Sequence, residues 1–426
     1  MSSIKIQGGV PLKGTIESEP NKNSVLKIIP ACLLAREPVT LHNVPKSSSV
    51  RVMLRIFRSL GGKVKYLKGN SIILNPTKVK KYTIDDDVAI KEKASLMFIS
   101  PLLARFGKAQ IGGYGGCKLG NRPLDAMFQG LKSLGVKVEG DKCYKMHTKG
   151  LKGNSNIWLI EASVTGTENL IMAAVLAEGK TVIYNAACEP HTQDLCNFLV
   201  SLGANIKGIG TNRLTINGVN QLSGGEWTII PDHIDIGGLI VAAAITGGEI
   251  TIKNAVTNHM TQILNYFAKI NVKTEVRDHD IFVPGKQRLA CKPNIKGDMD
   301  KIMDQPWPGY PVDLIPQAVV LAAKASGSIR VLGVMYETQL LFVKELLKMN
   351  GKLVLADSHQ VITQGPSDFT GITLESPDIL QCAHAMVLAG LAASGTTIIK
   401  NCDIIARRYP NLVDRLKGLG ARIEKI

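Results

Sequence analysis

The chain has 426 residues, 45% of them hydrophobic and 20% charged, and carries a formal net charge of +16. That length exceeds what one core usually organises, so two domains are expected. No apolar run reaches the roughly 18 residues of a membrane span, the start Met1-Ser-Ser-Ile-Lys-Ile lacks an apolar signal core, and the positive charge is not gathered into a Lys/Arg tract with interleaved aromatics. These features point away from a membrane, secretion and nucleic acid, and toward a cytoplasmic protein with basic groups lining a cleft for anionic substrates. Eight cysteines (32, 117, 143, 188, 196, 291, 382 and 402) form no CxxC pair. That spacing argues against a zinc site or a disulfide framework and fits a reducing compartment.

In chain order two patterns alternate, each six times. The first is an apolar helix, a short turn and a β-rich strand. It occurs at Leu33-Leu-Ala-Arg-Glu-Pro-Val-Thr-Leu, Leu103-Ala-Arg-Phe-Gly, Leu176-Ala-Glu-Gly, Ala244-Ile-Thr-Gly-Gly, Ala323-Lys-Ala-Ser-Gly and Leu391-Ala-Ala-Ser-Gly. The second is a helix end followed by an alternating strand. It occurs at Arg58-Ser-Leu-Gly, Leu131-Lys-Ser-Leu-Gly, Leu199-Val-Ser-Leu-Gly, Phe267-Ala-Lys-Ile-Asn, Leu347-Lys-Met-Asn and Leu416-Lys-Gly-Leu-Gly. The terminal Gly or Asn suits the left-handed residue that closes a helix. Helices such as Leu170-Ile-Met-Ala-Ala-Val-Leu and Leu239-Ile-Val-Ala-Ala-Ala-Ile are apolar on most faces, which predicts burial. The expected architecture is therefore α/β with helices inside and sheets outside, six units of about 70 residues, three to a domain.

Several stretches carry candidate chemistry. Cys117 stands in the Gly-rich run Gly112-Gly-Tyr-Gly-Gly-Cys-Lys-Leu-Gly, near Lys118 and Arg122; it is either an activated thiol or a small buried residue. Lys22 and Asn23 stand at a helix start in Glu19-Pro-Asn-Lys-Asn-Ser, where free N–H groups suit an anion; a solvated lysine beside a capping Asn is the alternative. Ser163-Val164-Thr165-Gly166 opens a helix running from Glu168 to Leu176, fit for a diphosphate or for simple capping. Asp313 follows Trp307-Pro-Gly-Tyr-Pro-Val and begins an apolar helix, where an N-cap role is common.

Taken together, the six units, the buried helices and the chain length resemble the enolpyruvyl transferase family. The stretches Leu103-Ala-Arg-Phe-Gly, Gly115-Gly-Cys-Lys-Leu-Gly-Asn-Arg-Pro-Leu-Asp, Ser163-Val-Thr-Gly-Thr-Glu-Asn and Asn185-Ala-Ala-Cys-Glu-Pro resemble its UDP-N-acetylglucosamine branch rather than its shikimate-3-phosphate branch. The resemblance implies two inside-out α/β barrel domains, each of three repeated units, with the active site in the cleft between them. Residues 1–21 with 231–426 would form one domain, and 22–230 the inserted domain carrying a mobile loop at 112–122. It implies transfer of the enolpyruvyl group of phosphoenolpyruvate to the 3-hydroxyl of UDP-N-acetylglucosamine, the first committed step of peptidoglycan precursor synthesis, with no metal and no organic cofactor.

By the same resemblance Cys117 is the acid, Asp313 the base for the sugar hydroxyl and Lys22 a catalytic cation. Lys22, Asn23, Arg122 and Arg407 hold phosphoenolpyruvate. Asn23, Lys93, Arg122, Pro123, Leu124, Asp125, Ser163, Val164, Thr165, Gly166, Asp313 and Met335 contact the nucleotide sugar. The chain departs from the pattern at Gln339 and Gln381, where the family has arginines, and at Lys93, which keeps the charge without the fork. Ala162 and His233 also replace residues that are often basic. These changes predict a weakened donor site. They leave open a divergent paralogue that binds a nucleotide sugar with little catalysis, or uses another acceptor in a specialised pathway.

Overall fold

The computed structural model describes residues 2–113, 115, 123–140 and 143–426. The chain divides into two compact units. A C-terminal unit joins the stretch ending at Glu19 to Pro231–Ile426; a middle unit takes the described residues between Pro20 and Ile230.

Among the described residues there are six four-stranded sheets, three in each unit, and all share one plan. In the middle unit, strand Val39–His42 pairs in parallel with Gly225–Thr228 on one side and antiparallel with Ile72–Asn75 on the other, and Lys63–Tyr66 forms the edge. Lys108–Ile111 occupies the same central place in the second sheet and Lys180–Tyr184 in the third. In the C-terminal unit the central strands are Glu249–Lys253, Gly327–Leu332 and Thr396–Lys400. Each hairpin is followed by a strand that joins the next sheet in parallel. The last of these in the middle unit, Gly225–Thr228, joins the first sheet and closes a ring. The N-terminal strand Ile4–Gln7 completes the sheet of Thr396–Lys400 and Arg422–Lys425, so the chain's two ends lie side by side.

Within each unit the helices preceding the central strands lie at the core. In the C-terminal unit these are His233–Thr246, Ile315–Lys324 and Leu380–Leu391, which pack against one another; every residue of the last is buried. The middle unit uses Lys22–Ala31, Ile99–Phe106 and Val164–Ala174. A helix so evenly apolar has no face for water, which is why the sheets rather than the helices meet solvent. The residues expected to close helices in the left-handed conformation do so at all six repeats: φ is positive at Gly61, Gly135, Gly203, Asn271, Asn350 and Gly420. This is the inside-out α/β arrangement that the sequence predicts.

Candidate active site

In the middle unit, Asn21 rather than Asn23 caps helix Lys22–Ala31; its side chain accepts from the Ser24 amide at 3.0 Å. Lys22 and Asn23 occupy the first turn, each half-buried. Beneath this helix start lies a buried acidic layer. Ser24 Oγ donates to Asp194 Oδ2, and Trp227 Nε1 donates to Asp194 Oδ1 at 3.1 Å. Burial pushes the Asp194 carboxyl up to about 6, against the pull of these neutral donors. One turn further along, Lys27 Nζ sits 3.3 Å from Glu168 Oε2, and Thr192 Oγ1 donates to Glu168 Oε1 at 3.2 Å. Burial raises the Glu168 carboxyl too, and Lys27 opposes that shift. The segment Lys93–Phe98, which opens with half-buried Lys93, packs against both Lys22–Ala31 and Val164–Ala174.

Helix Val164–Ala174 begins four residues earlier than the sequence suggests, because Ser163 caps it, accepting from Gly166 N at 3.2 Å. Gly166 lies close to the start of helix Asp125–Ser133: a Cβ there would come within 3.4 Å of the Met127 amide nitrogen. Two stretches far apart in sequence, Pro123-Leu124-Asp125 and Ser163-Val164-Thr165-Gly166, therefore meet at two helix starts. Helix starts gathered in this way suit an anionic ligand. Leu124 is buried; Pro123 and Asp125 are exposed.

In the C-terminal unit, Asp313 does not cap a helix. It lies in the short turn Val312–Leu314, ahead of Ile315–Lys324. Its carboxylate is held by side chains from elsewhere: Gln381 Nε2 donates to Oδ1 at 2.5 Å, and Arg408 Nη1 donates to Oδ2 at 3.1 Å. Burial opposes the charge on Arg408, but the carboxylates of Asp232 and Asp313 outweigh it and hold the guanidinium protonated. A second pair lies nearby in sequence, where Arg415 grips both oxygens of Asp235 at 2.8 Å. Burial raises the Asp235 carboxyl, yet this fork brings it below the usual range. Burial pushes His233 down to about 3 and His384 down to about 4, so both are neutral at pH 7.

The arginines expected at 339 and 381 leave no gap on the surface. Gln339 is 2% exposed, its amide oxygen facing Gly333, and Gln381 is 7% exposed and engaged with Asp313. Met335 is partly exposed in a loop whose Val334 and Met335 amides donate to buried Asp304. Arg407 ends the turn Cys402–Arg407 and is half-buried. Cys117 and Arg122 lie outside the described residues. Asp232, Asp304, Arg408, Asp194 and Glu168 were missed from the sequence; the one available signal was the doubled arginine before Tyr409. No helix among the described residues is long and apolar enough to cross a membrane.

Comparison with known proteins bears on this arrangement. The family model for EPSP synthase (3-phosphoshikimate 1-carboxyvinyltransferase) matches residues 6–416. A protein of Treponema denticola named UDP-N-acetylglucosamine 1-carboxyvinyltransferase is 42% identical, over all of this chain and 99% of its own. One of the same name from Bradyrhizobium diazoefficiens is 39% identical, over 99% of this chain and 97% of its own. Among solved structures, the enolpyruvyl transferase NikO from Streptomyces tendae superposes with a TM-score of 0.88 at 20% identity, covering all of this chain and 99% of that one.

Proposed function

Because the chain belongs to the EPSP synthase family of enolpyruvyl transferases, we propose that it transfers the enolpyruvyl group of phosphoenolpyruvate to the 3-hydroxyl of UDP-N-acetylglucosamine and releases phosphate. The observation that carries this reading is identity near 40% across essentially the whole chain with proteins named for that activity. The product feeds peptidoglycan precursor synthesis in the cytoplasm.

Chemically, the acceptor hydroxyl adds to C2 of phosphoenolpyruvate while C3 takes a proton; the tetrahedral ketal then loses phosphate and a C3 proton. Asp313 accepts the hydroxyl proton and Cys117 supplies the proton to C3. Lys22, Arg122 and Arg407 neutralise the donor's phosphate and carboxylate, with the Asn23 amide as a neutral donor beside them, and such preformed charge lowers the barrier without reorganisation. The paired helix starts at Ser163–Gly166 and Leu124–Asp125 take the diphosphate and the uridine, with Lys93 and Met335 completing the nucleotide-sugar contacts. The test is release of inorganic phosphate with both substrates, against each alone. Release only with both supports the reading. Nucleotide-sugar binding without release would favour a binding paralogue instead.

A further inference from the structure

Arg408 is the most committed cation beside Asp313. Its side chain is 3% exposed, with Nη1 3.1 Å from Asp313 Oδ2 and Nε 3.3 Å from Asp232 Oδ2. Asp232 is itself fixed, because it caps helix His233–Thr246 by accepting from the Ile234 amide at 3.0 Å. A chain of contacts therefore runs from a buried helix start through Asp232 and Arg408 to Asp313, and Gln381 closes it from the other side at 2.5 Å. Gln381 holds one oxygen and Arg408 the other, and the Asp313 side chain remains 18% exposed. The carboxylate is thus fixed in rotation from two sides while its side chain still reaches the surface. Arg408 is too buried to reach a substrate through solvent, so any influence on the reaction passes through Asp313.

We propose, resting on the transferase reading above, that Arg408 is a positioning residue. Together with Gln381 it orients the Asp313 carboxylate toward the acceptor hydroxyl, and it places at 408 the positive charge that an arginine at 381 would otherwise bring to that carboxylate. A guanidinium suits this task because its planar fork engages two carboxylates at once, which an ammonium cannot do with the same geometry.

The test is charge relocation in the full chain, read as phosphate release with phosphoenolpyruvate and UDP-N-acetylglucosamine. Arg408→Gln should lower kcat by about 10- to 100-fold, the scale of one charge-assisted hydrogen bond, with KM for the nucleotide sugar nearly unchanged. Gln381→Arg alone crowds two guanidiniums at one carboxylate and should also lower kcat. The double variant Arg408→Gln/Gln381→Arg should recover at least about tenfold over Arg408→Gln, a coupling that a purely structural role would not produce. An unchanged kcat in folded Arg408→Gln, or a double variant no better than Arg408→Gln, overturns the proposal. If Arg408→Gln does not fold, Arg408→Lys decides: a fall in kcat of about tenfold at unchanged nucleotide-sugar KM supports it, and an unchanged kcat overturns it. Wild-type protein that binds the nucleotide sugar but releases no phosphate would instead overturn the transferase reading, and is read before any variant is made.

Discussion

In the middle unit the buried acids Asp194 and Glu168 are held by a serine, an indole, a threonine and one lysine. In the C-terminal unit Asp232, Asp235 and Asp313 share two guanidiniums, Arg408 and Arg415. The partner's geometry decides the charge state: burial raises the Asp232 carboxyl despite Arg408, whereas the two-oxygen grip of Arg415 lowers that of Asp235. Neutral donors cannot offset desolvation, so Asp194 titrates near 6. The Arg415 fork can, so Asp235 stays below the usual carboxylate range. An acid held by neutral donors, as Asp194 is, responds to pH; one gripped through both oxygens by a guanidinium, as Asp235 is, responds to loss of its partner.

That contrast can be broken by experiment, the largest effect first. Arg415→Met strands Asp235, 2% exposed, and removes a partner of Glu19. We expect a loss of about 3–5 kcal/mol in chemical denaturation at pH 7. Gln339→Arg adds a cation and bulk in a site only 2% exposed and close against Gly333. A loss of roughly 2–4 kcal/mol is expected from overpacking and a buried charge. A lower KM for phosphoenolpyruvate with no loss of stability would show that this position faces the donor after all.

Lys27→Met should cost less, about 1–3 kcal/mol, because Glu168 is already pushed toward its neutral form by burial and can take a proton when the lysine is gone. The loss should be larger at pH 8 than at pH 5; an equal loss at both would erase the contrast between the units. The smallest effect concerns Asp194. Its folded pKa of about 6 exceeds the ordinary 3.8, so the native state holds the proton more tightly than the unfolded chain. This contribution is full below about pH 4 and is lost as pH rises to about 6. Between pH 5 and 7 the wild type should lose about 1 kcal/mol from this group, and Asp194→Asn should flatten that slope.

Much of the fold could be read from local chemistry. Asn271 and Asn350 stand where other repeats have Gly, and both adopt positive φ, because Asn is the side chain that best tolerates that conformation. Apolar helices such as Leu380–Leu391 announced their burial through composition. The errors were local too. Asn21 caps the first helix, and the helix after Ser163 begins a turn earlier than its apolar run predicts, since one cap shifts a boundary by a turn. The charged layers were harder to see because their partners are remote. Arg408 and Asp313 are 95 positions apart, and Ser24 and Asp194 are 170 apart. No periodicity connects such pairs, and a single arginine or aspartate in a sequence looks the same whether it meets solvent or a buried partner. Gln381 shows the limit of matching by position: it is not simply a lost arginine but a working donor to Asp313.

The strand Ile4–Gln7 lies between Thr396–Lys400 and Arg422–Lys425, and Lys13–Glu17 pairs with Glu249–Lys253. On a ribosome adding about 5–20 residues each second, the first strand waits roughly 20–80 s for its last neighbour. Throughout that interval the whole middle unit, from Pro20 to Ile230, can be made and can close its own ring through Gly225–Thr228. Synthesis thus leaves these two strands as unpaired edges, able to pair wrongly. Ile4–Gln7 is short and alternates Ile with Lys or Gln, a composition that keeps a waiting strand soluble until its sheet arrives.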